Sequence, residues 1–319
     1  MRTVFFVSIA SIMLINLGCG DDDSGQVGDV PRDDAAQQLA IDLSGSLQNP
    51  AFSPDGKAIV FTRFRSGYNE GKADLYMYRL DTKALTPLVS DGSANVNLPG
   101  SAWNGATASI VFSSDRAPHD EIYLIAATGT TGDEIRITDR ADKQSYEPTL
   151  SPDGQWVVFE SHDIDVEGHG VITKYKIDGT SGYVDLTDSN DDCRQPNWSA
   201  SGDKILYQKQ DGGHWAIWVM DIDGQNKTMV TPSDENATDA AFSPDGQWIF
   251  YSSENDSVEL ANVYQVAVSG GASTRITQFR GYDGASSISP DSREIVFEST
   301  PGDPDTSKGS SLWLMDMSL

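Results

Sequence analysis

Short apolar runs return along the chain at a near-constant interval, each bounded by turn residues. An apolar-x-aromatic triplet appears six times, as Ile59-Val60-Phe61, Ile110-Val111-Phe112, Val157-Val158-Phe159, Ile205-Leu206-Tyr207, Ile249-Phe250-Tyr251 and Ile295-Val296-Phe297. Runs this short and this rich in β-branched and aromatic residues predict strands. Six residues before each triplet stands a marker: Ser53, Asn104, Ser151, Ser199, Ser243 or Ser289, spaced by 51, 47, 48, 44 and 46 residues. Three markers open the full tag Ser-Pro-Asp-Gly, at Ser53, Ser151 and Ser243. Ser289-Pro290-Asp291-Ser292 has lost the glycine, Ser199-Ala200-Ser201-Gly202 is worn, and Trp103-Asn104-Gly105 is nearly erased. The tag predicts a tight turn, with proline presetting φ, aspartate capping the backbone and glycine taking a positive φ.

A third strand follows in each unit, among them Leu75-Tyr76-Met77-Tyr78, Ile217-Trp218-Val219-Met220 and Leu312-Trp313-Leu314-Met315. A fourth closes the first five units, for example Ile135-Arg136-Ile137-Thr138 and Arg275-Ile276-Thr277. Four strands per 40–50 residues, repeated, predict an all-β fold: a six-bladed β-propeller with four-stranded antiparallel blades. The sixth unit reaches Leu319 after its third strand. Residues 38–44 are therefore expected to complete the last blade and close the ring, which removes two unpaired sheet edges.

The first segment reads as an address. Arg2 precedes an apolar run from Val4 to Ile15, too short for a mature membrane span, and then Asn16-Leu17-Gly18-Cys19. A small residue directly before the cysteine resembles a lipobox, so residues 1–18 are expected to be a lipoprotein signal peptide and Cys19 the lipidated residue. Residues 19–37, opening Cys19-Gly20-Asp21-Asp22-Asp23, are expected to be a flexible acidic tether before a propeller over 38–319. The net charge of −26 disfavours nucleic acid and anionic headgroups. Two cysteines exclude a disulfide framework or a four-thiolate zinc site.

The Ser-Pro-Asp-Gly turn, the Ile-x-Phe strand, the Ile/Leu-Tyr/Trp strand and the terminal Leu/Ile-Thr together resemble the TolB-type, WD-like propeller repeat family. The resemblance covers roughly residues 38–319 and is specific for fold, weak for function. The family's namesake is a periplasmic component of the Tol–Pal envelope system with an α/β domain of over a hundred residues before its propeller. Only about 20 residues separate Cys19 from the first strand here, so that domain is expected to be absent. The resemblance also implies a channel whose mouth lies among the long loops joining second to third strands. Residues placed just before each first strand would line it: Asn49, Tyr146, Glu147, Arg194, Gln195 and Asp239. Such a polar rim suits a peptide or protein partner, here an envelope component bound by a monomeric chain.

The chemical alternatives are weaker. One long loop reads His162-Asp163-Ile164-Asp165-Val166-Glu167-Gly168-His169, with imidazoles and carboxylates that can bind a transition metal. Its spacing matches no helix-borne metal motif, and no cofactor is expected. Should His162, Asp163, Asp165, Glu167 and His169 hold a metal, a polysaccharide-cleaving, lyase-like propeller enzyme becomes the alternative; a passive scaffold is the third reading. No G-x-S-x-G elbow or nucleotide fingerprint is present, so the chain is read as a non-enzymatic binding module. Cys193 stands beside Arg194, yet a small buried hydrophobe is its expected role.

Overall fold

The computed structural model describes residues 32–98, 102–164, 169–232, 235–254, 260–302 and 309–318. Residues 1–18, expected to be a signal peptide, and Cys19 fall outside the described residues, as do Asp165 and Glu167. Six antiparallel sheets follow one another as blades. Blade 1 comprises Ser46–Phe52, Ala58–Phe64, Ala73–Arg79 and Leu85–Val89, and blades 3 to 5 repeat this four-strand meander. In blade 2 the first strand is split into Val96–Asn97 and Trp103–Asn104, both paired with Ser109–Ser114. The apolar-x-aromatic triplets form the second strands, and all of their residues are buried. Both faces of each second strand meet a neighbouring blade. Val60 of blade 1, for example, packs in one cluster with Ile110 and Phe112 of blade 2. That two-sided burial explains a continuous apolar run where a one-sided sheet would alternate.

The turn between first and second strands is built as its residues dictate. In blade 1 the Ser53 hydroxyl donates to Asp55 Oδ1 at 2.6 Å and accepts from the Ala58 N–H at 2.9 Å. Asp55 Oδ1 also accepts the Lys57 N–H at 3.1 Å, and Gly56 sits at φ 70°. The same bonds recur at Ser151–Asp153, Ser243–Asp245 and Ser289–Asp291. In the nearly erased copy of blade 2, Asn104 substitutes for serine, its Oδ1 accepting the Thr107 N–H at 2.9 Å.

The ring closes through the N-terminal chain, but over a different stretch from the expected 38–44. Gln37 and Gln38 pair with Leu314 and Trp313 of the last blade, and the Leu39 N–H reaches Leu312 O at 2.8 Å. The ladder stops there because the Ile41 N–H bonds Leu39 O and the Leu43 N–H bonds Ile41 O. Such i→i+2 turns fold the chain back on itself and take it off the sheet. Leu39, Ile41 and Leu43 then pack against the Phe61 and Tyr78 cluster.

Residues 32–37, assigned on composition to the tether, lie against blade 6. The guanidinium of Arg32 sits 4.4 Å from the Phe279 ring centre, 5.2 Å from Phe297 and 4.7 Å from Trp313. It donates to both carboxylate oxygens of Asp34 and of Asp283, the shortest bond being 2.7 Å to Asp283 Oδ2. Three aromatic faces and two carboxylates thus hold one cation that is almost fully buried.

Two predictions follow from these contacts. Ser292 occupies the lost glycine position at φ 60°. Ser292→Gly relieves that strain, partly offset by the entropy of a new glycine, and should stabilise the fold by about 0.5–1 kcal/mol in denaturant titration. Arg32→Ala leaves two carboxylates unpaired and should cost about 3–5 kcal/mol in the same measurement.

Candidate functional site

Every fully described innermost strand carries a bulge, and at each bulge one non-glycine residue adopts a left-handed conformation. These are Asn49 (φ 50°), Glu147 (47°), Gln195 (48°), Asp239 (50°) and Ala285 (46°). In blade 2 Leu98 directly follows the Asn97–Ser113 pair and so stands at the equivalent register. The extra residue breaks the ladder and turns its side chain toward the ring axis. Four of the six residues expected at the channel are therefore brought together: Asn49, Glu147, Gln195 and Asp239 line one narrow throat with Ala285 and Ser286. They sit within the first strands, not before them.

Tyr146 and Arg194, each one residue earlier, point elsewhere. Tyr146 is buried, donates to Gln144 Oε1 at 2.8 Å and lies edge-on to His162 with ring centres 5.6 Å apart. Arg194 is engaged by both oxygens of Asp192 at 2.9 Å and lies 5.2 Å from the Trp215 ring centre. Neither lines the throat.

Hydrogen bonds run between blades around the throat. Asn49 Nδ2 donates to Asn97 Oδ1 at 2.9 Å, and Asn97 Nδ2 donates to Glu147 Oε1 at 2.9 Å. Gln195 Nε2 donates to Asp239 Oδ1 at 2.9 Å, while Gln195 Oε1 accepts the Asp239 N–H at 3.0 Å. Three further N–H groups at this register are taken by second-strand side chains of the preceding blade. Asn49 N–H donates to Glu298 Oε2 at 3.0 Å, Gln195 N–H to Glu160 Oε2 at 2.9 Å, and Leu98 N–H to Thr62 Oγ1 at 3.1 Å. Glu298, Glu160 and Thr62 each directly follow the buried aromatic of their triplet. They are not among the residues expected at the channel, although a polar residue follows the aromatic in all six repeats.

The two ends of the channel differ. On the long-loop side Tyr68, from the loop after the second strand of blade 1, donates to Glu298 Oε1 at 2.7 Å. It packs edge-on against Tyr282, with ring centres 6.2 Å apart. On the turn side the throat opens into a wider funnel, and Asn197 and Ala241 line both spaces.

His162 Nε2 lies 3.2 Å from Glu160 Oε1, Asp163 pairs with Lys143 at 2.6 Å, and His169 is exposed. Among the described residues no three His, Cys, Asp or Glu side chains converge on a metal position. Cys193 is buried, and desolvation pushes its thiol up to about 12.

Six stacked four-stranded blades around a polar throat, closed by one strand from the N-terminal side, define a β-propeller of the repeat class expected from the turn motif. The chain belongs to the TolB beta propeller domain family, which matches residues 33–240 and 180–307. It is 29% identical over 191 residues to the Tol-Pal system protein TolB of Francisella tularensis subsp. holarctica (strain OSU18). That match covers 60% of this chain and 42% of the relative, so the chain spans less than half the relative's length. The crystal structure of TolB from Acinetobacter baumannii superimposes with a TM-score of 0.60 at 18% identity, over 87% of this chain and 65% of that one. A puromycin-hydrolyzing peptidase of Mycobacterium tuberculosis shares the fold with a TM-score of 0.55 at 15% identity, over 86% of this chain and 46% of the peptidase.

The acids of the two regions are biased in opposite directions. Serine and backbone hydrogen bonds hold Asp55, Asp153, Asp245 and Asp291 below the usual carboxylate range. Burial pushes Glu147 and Asp239 up, and pushes Glu298 up to about 7. Asp120, buried beneath Tyr146, is likewise raised to about 7 by desolvation and by Asp115. The raised acids favour the folded state while protonated, and that stabilisation is lost as pH climbs from about 4 through about 7. The turn aspartates act in reverse, losing their contribution as pH falls below about 4. Thermal melts across pH 3 to 8 should therefore peak at roughly pH 4–5. In Glu298→Gln, whose amide still accepts the Asn49 N–H, the decline toward neutral pH should be shallower.

Proposed function

We propose that this chain is an exported, non-enzymatic module of the cell envelope, anchored through a lipid on Cys19. It binds a protein or peptide partner with its long-loop face and the adjoining end of the channel. The observation that carries this reading is the ring of five non-glycine residues held at positive φ around the throat. Each is locally unfavourable, and strain of this kind collects where a scaffold must present particular groups. Tyr68 and Tyr282, set over Glu298 at the long-loop end, add the amphipathic aromatic surface that protein partners use. The envelope setting is supported by the name of the Francisella relative, a Tol-Pal system protein.

A photo-crosslinking residue at exposed Lys72 or His214, both on the long-loop face, should capture one envelope protein in living cells. The same probe at Met229, on the outer edge of blade 4, should not. Capture that is equal from all three positions, or none from the loop face, rules the binding surface out. Cys19→Ser should move the protein from the membrane to the soluble fraction.

A further inference from the structure

The funnel on the turn face is a second, chemically distinct surface. Phe52, Leu150, Trp198, Phe242 and Ile288, each immediately before a marker residue, form its wall together with four turn prolines. Around it stand Asp55, Asp153, Asp245 and Asp291, exposed and kept ionised by their turns. The funnel narrows into the throat, where Glu147 and Asp239 present carboxylates and no lining residue is basic. Glu147 accepts from Asn97, and Asp239 from Gln195 and Thr238, which leaves acceptor capacity on both, since a carboxylate has about four lone-pair sites.

Two buried polar groups in this space have no partner. Ser286 is 2% exposed and lines the throat, yet its Oγ makes no hydrogen bond. Next to it the bulge residue of blade 6 is Ala285, whose methyl cannot extend the hydrogen bonding that links the other bulges. Trp198 is 8% exposed and lines the funnel, and its Nε1–H is also unpaired. Both groups therefore face the space with hydrogen-bonding capacity that a ligand could meet.

We propose that the turn-face funnel binds an apolar peptide segment carrying one lysine, with the flanking apolar side chains against the wall and the ammonium in the throat between Asp239 and Glu147. The match rests on charge and shape together. An apolar wall with a ring of carboxylates outside and two more at its floor favours a segment whose cation sits among apolar residues. Three ammonium donors can serve both carboxylates and the Ser286 hydroxyl at once. The funnel lies at the opposite end of the channel from the long-loop face, although its floor residues Glu147 and Asp239 belong to the ring on which that reading rests; crosslinking from the loop face and peptide binding to the funnel read the two separately.

The test uses N-acetylated, fluorescein-labelled heptapeptides with lysine fixed at the centre and leucine, valine or tryptophan on either side, read by fluorescence anisotropy. A matched pool carries norleucine, which keeps the methylenes and removes the charge. The lysine pool should bind at least about ten-fold tighter than the norleucine pool, the value of one buried charge-assisted hydrogen bond. Asp239→Asn should reduce that ratio to below about three-fold, and Glu147→Gln serves as the second variant should the first not fold. Lys72→Ala, on the opposite face, should leave the ratio unchanged. Equal affinity for the two pools, no binding of either, or a ratio untouched by both acidic variants overturns the proposal.

Discussion

The left-handed bulge in the innermost strands is the constraint from which the rest of this propeller follows. An extra residue in an antiparallel strand releases one N–H from the ladder, and a buried N–H must find another acceptor. Here it finds one on the neighbouring blade, at Glu298 for Asn49, Glu160 for Gln195 and Thr62 for Leu98. A local irregularity thereby becomes a fastening between sheets that share no strand. The same turn of the backbone aims four polar side chains at the axis, so blade cohesion and the chemistry of the throat have one origin. A blade with a regular first strand would have neither.

Charge is laid out in two layers on this scaffold. At the turns, carboxylates are exposed and satisfied by serine and backbone donors, so they stay ionised at little cost. In the throat, Glu147, Asp239 and Glu298 are enclosed by protein and repel one another, so their charged forms are disfavoured. Donors from Asn97, Gln195 and Tyr68 moderate that repulsion without removing it. The channel is thus a region where a cation would find carboxylates ready to ionise.

Much of this was legible in the chain. The repeat, the strand triplets and the turn chemistry depend on residues near one another in sequence, and the six blades follow from counting them. Asn49, Glu147, Gln195 and Asp239 were placed at the channel by their position ahead of each marker. Tyr146 and Arg194 were not separable from them, because a bulge inverts the side on which the next side chain emerges and nothing in the local sequence announces it. The closing strand was anticipated, yet its extent was set by two consecutive tight turns after Leu39, not by the apolar alternation of Leu39, Ile41 and Leu43. Arg32 escaped notice altogether. Its cage joins Phe279, Phe297, Trp313 and Asp283, residues about 250 to 280 positions away.

That distant cage has a mechanical consequence. The ring is circular in space but its seam is held by a ladder of two residues, and the chain leaves that seam through Arg32. Any force along the N-terminal chain, from a membrane, a partner or a pulling tip, meets this seam before it meets another blade. The cation clasped by three rings and two carboxylates carries the load in parallel with the short ladder. Blade 6 is therefore the unit that sets the rupture force of the whole propeller, while the other five can stay intact behind it.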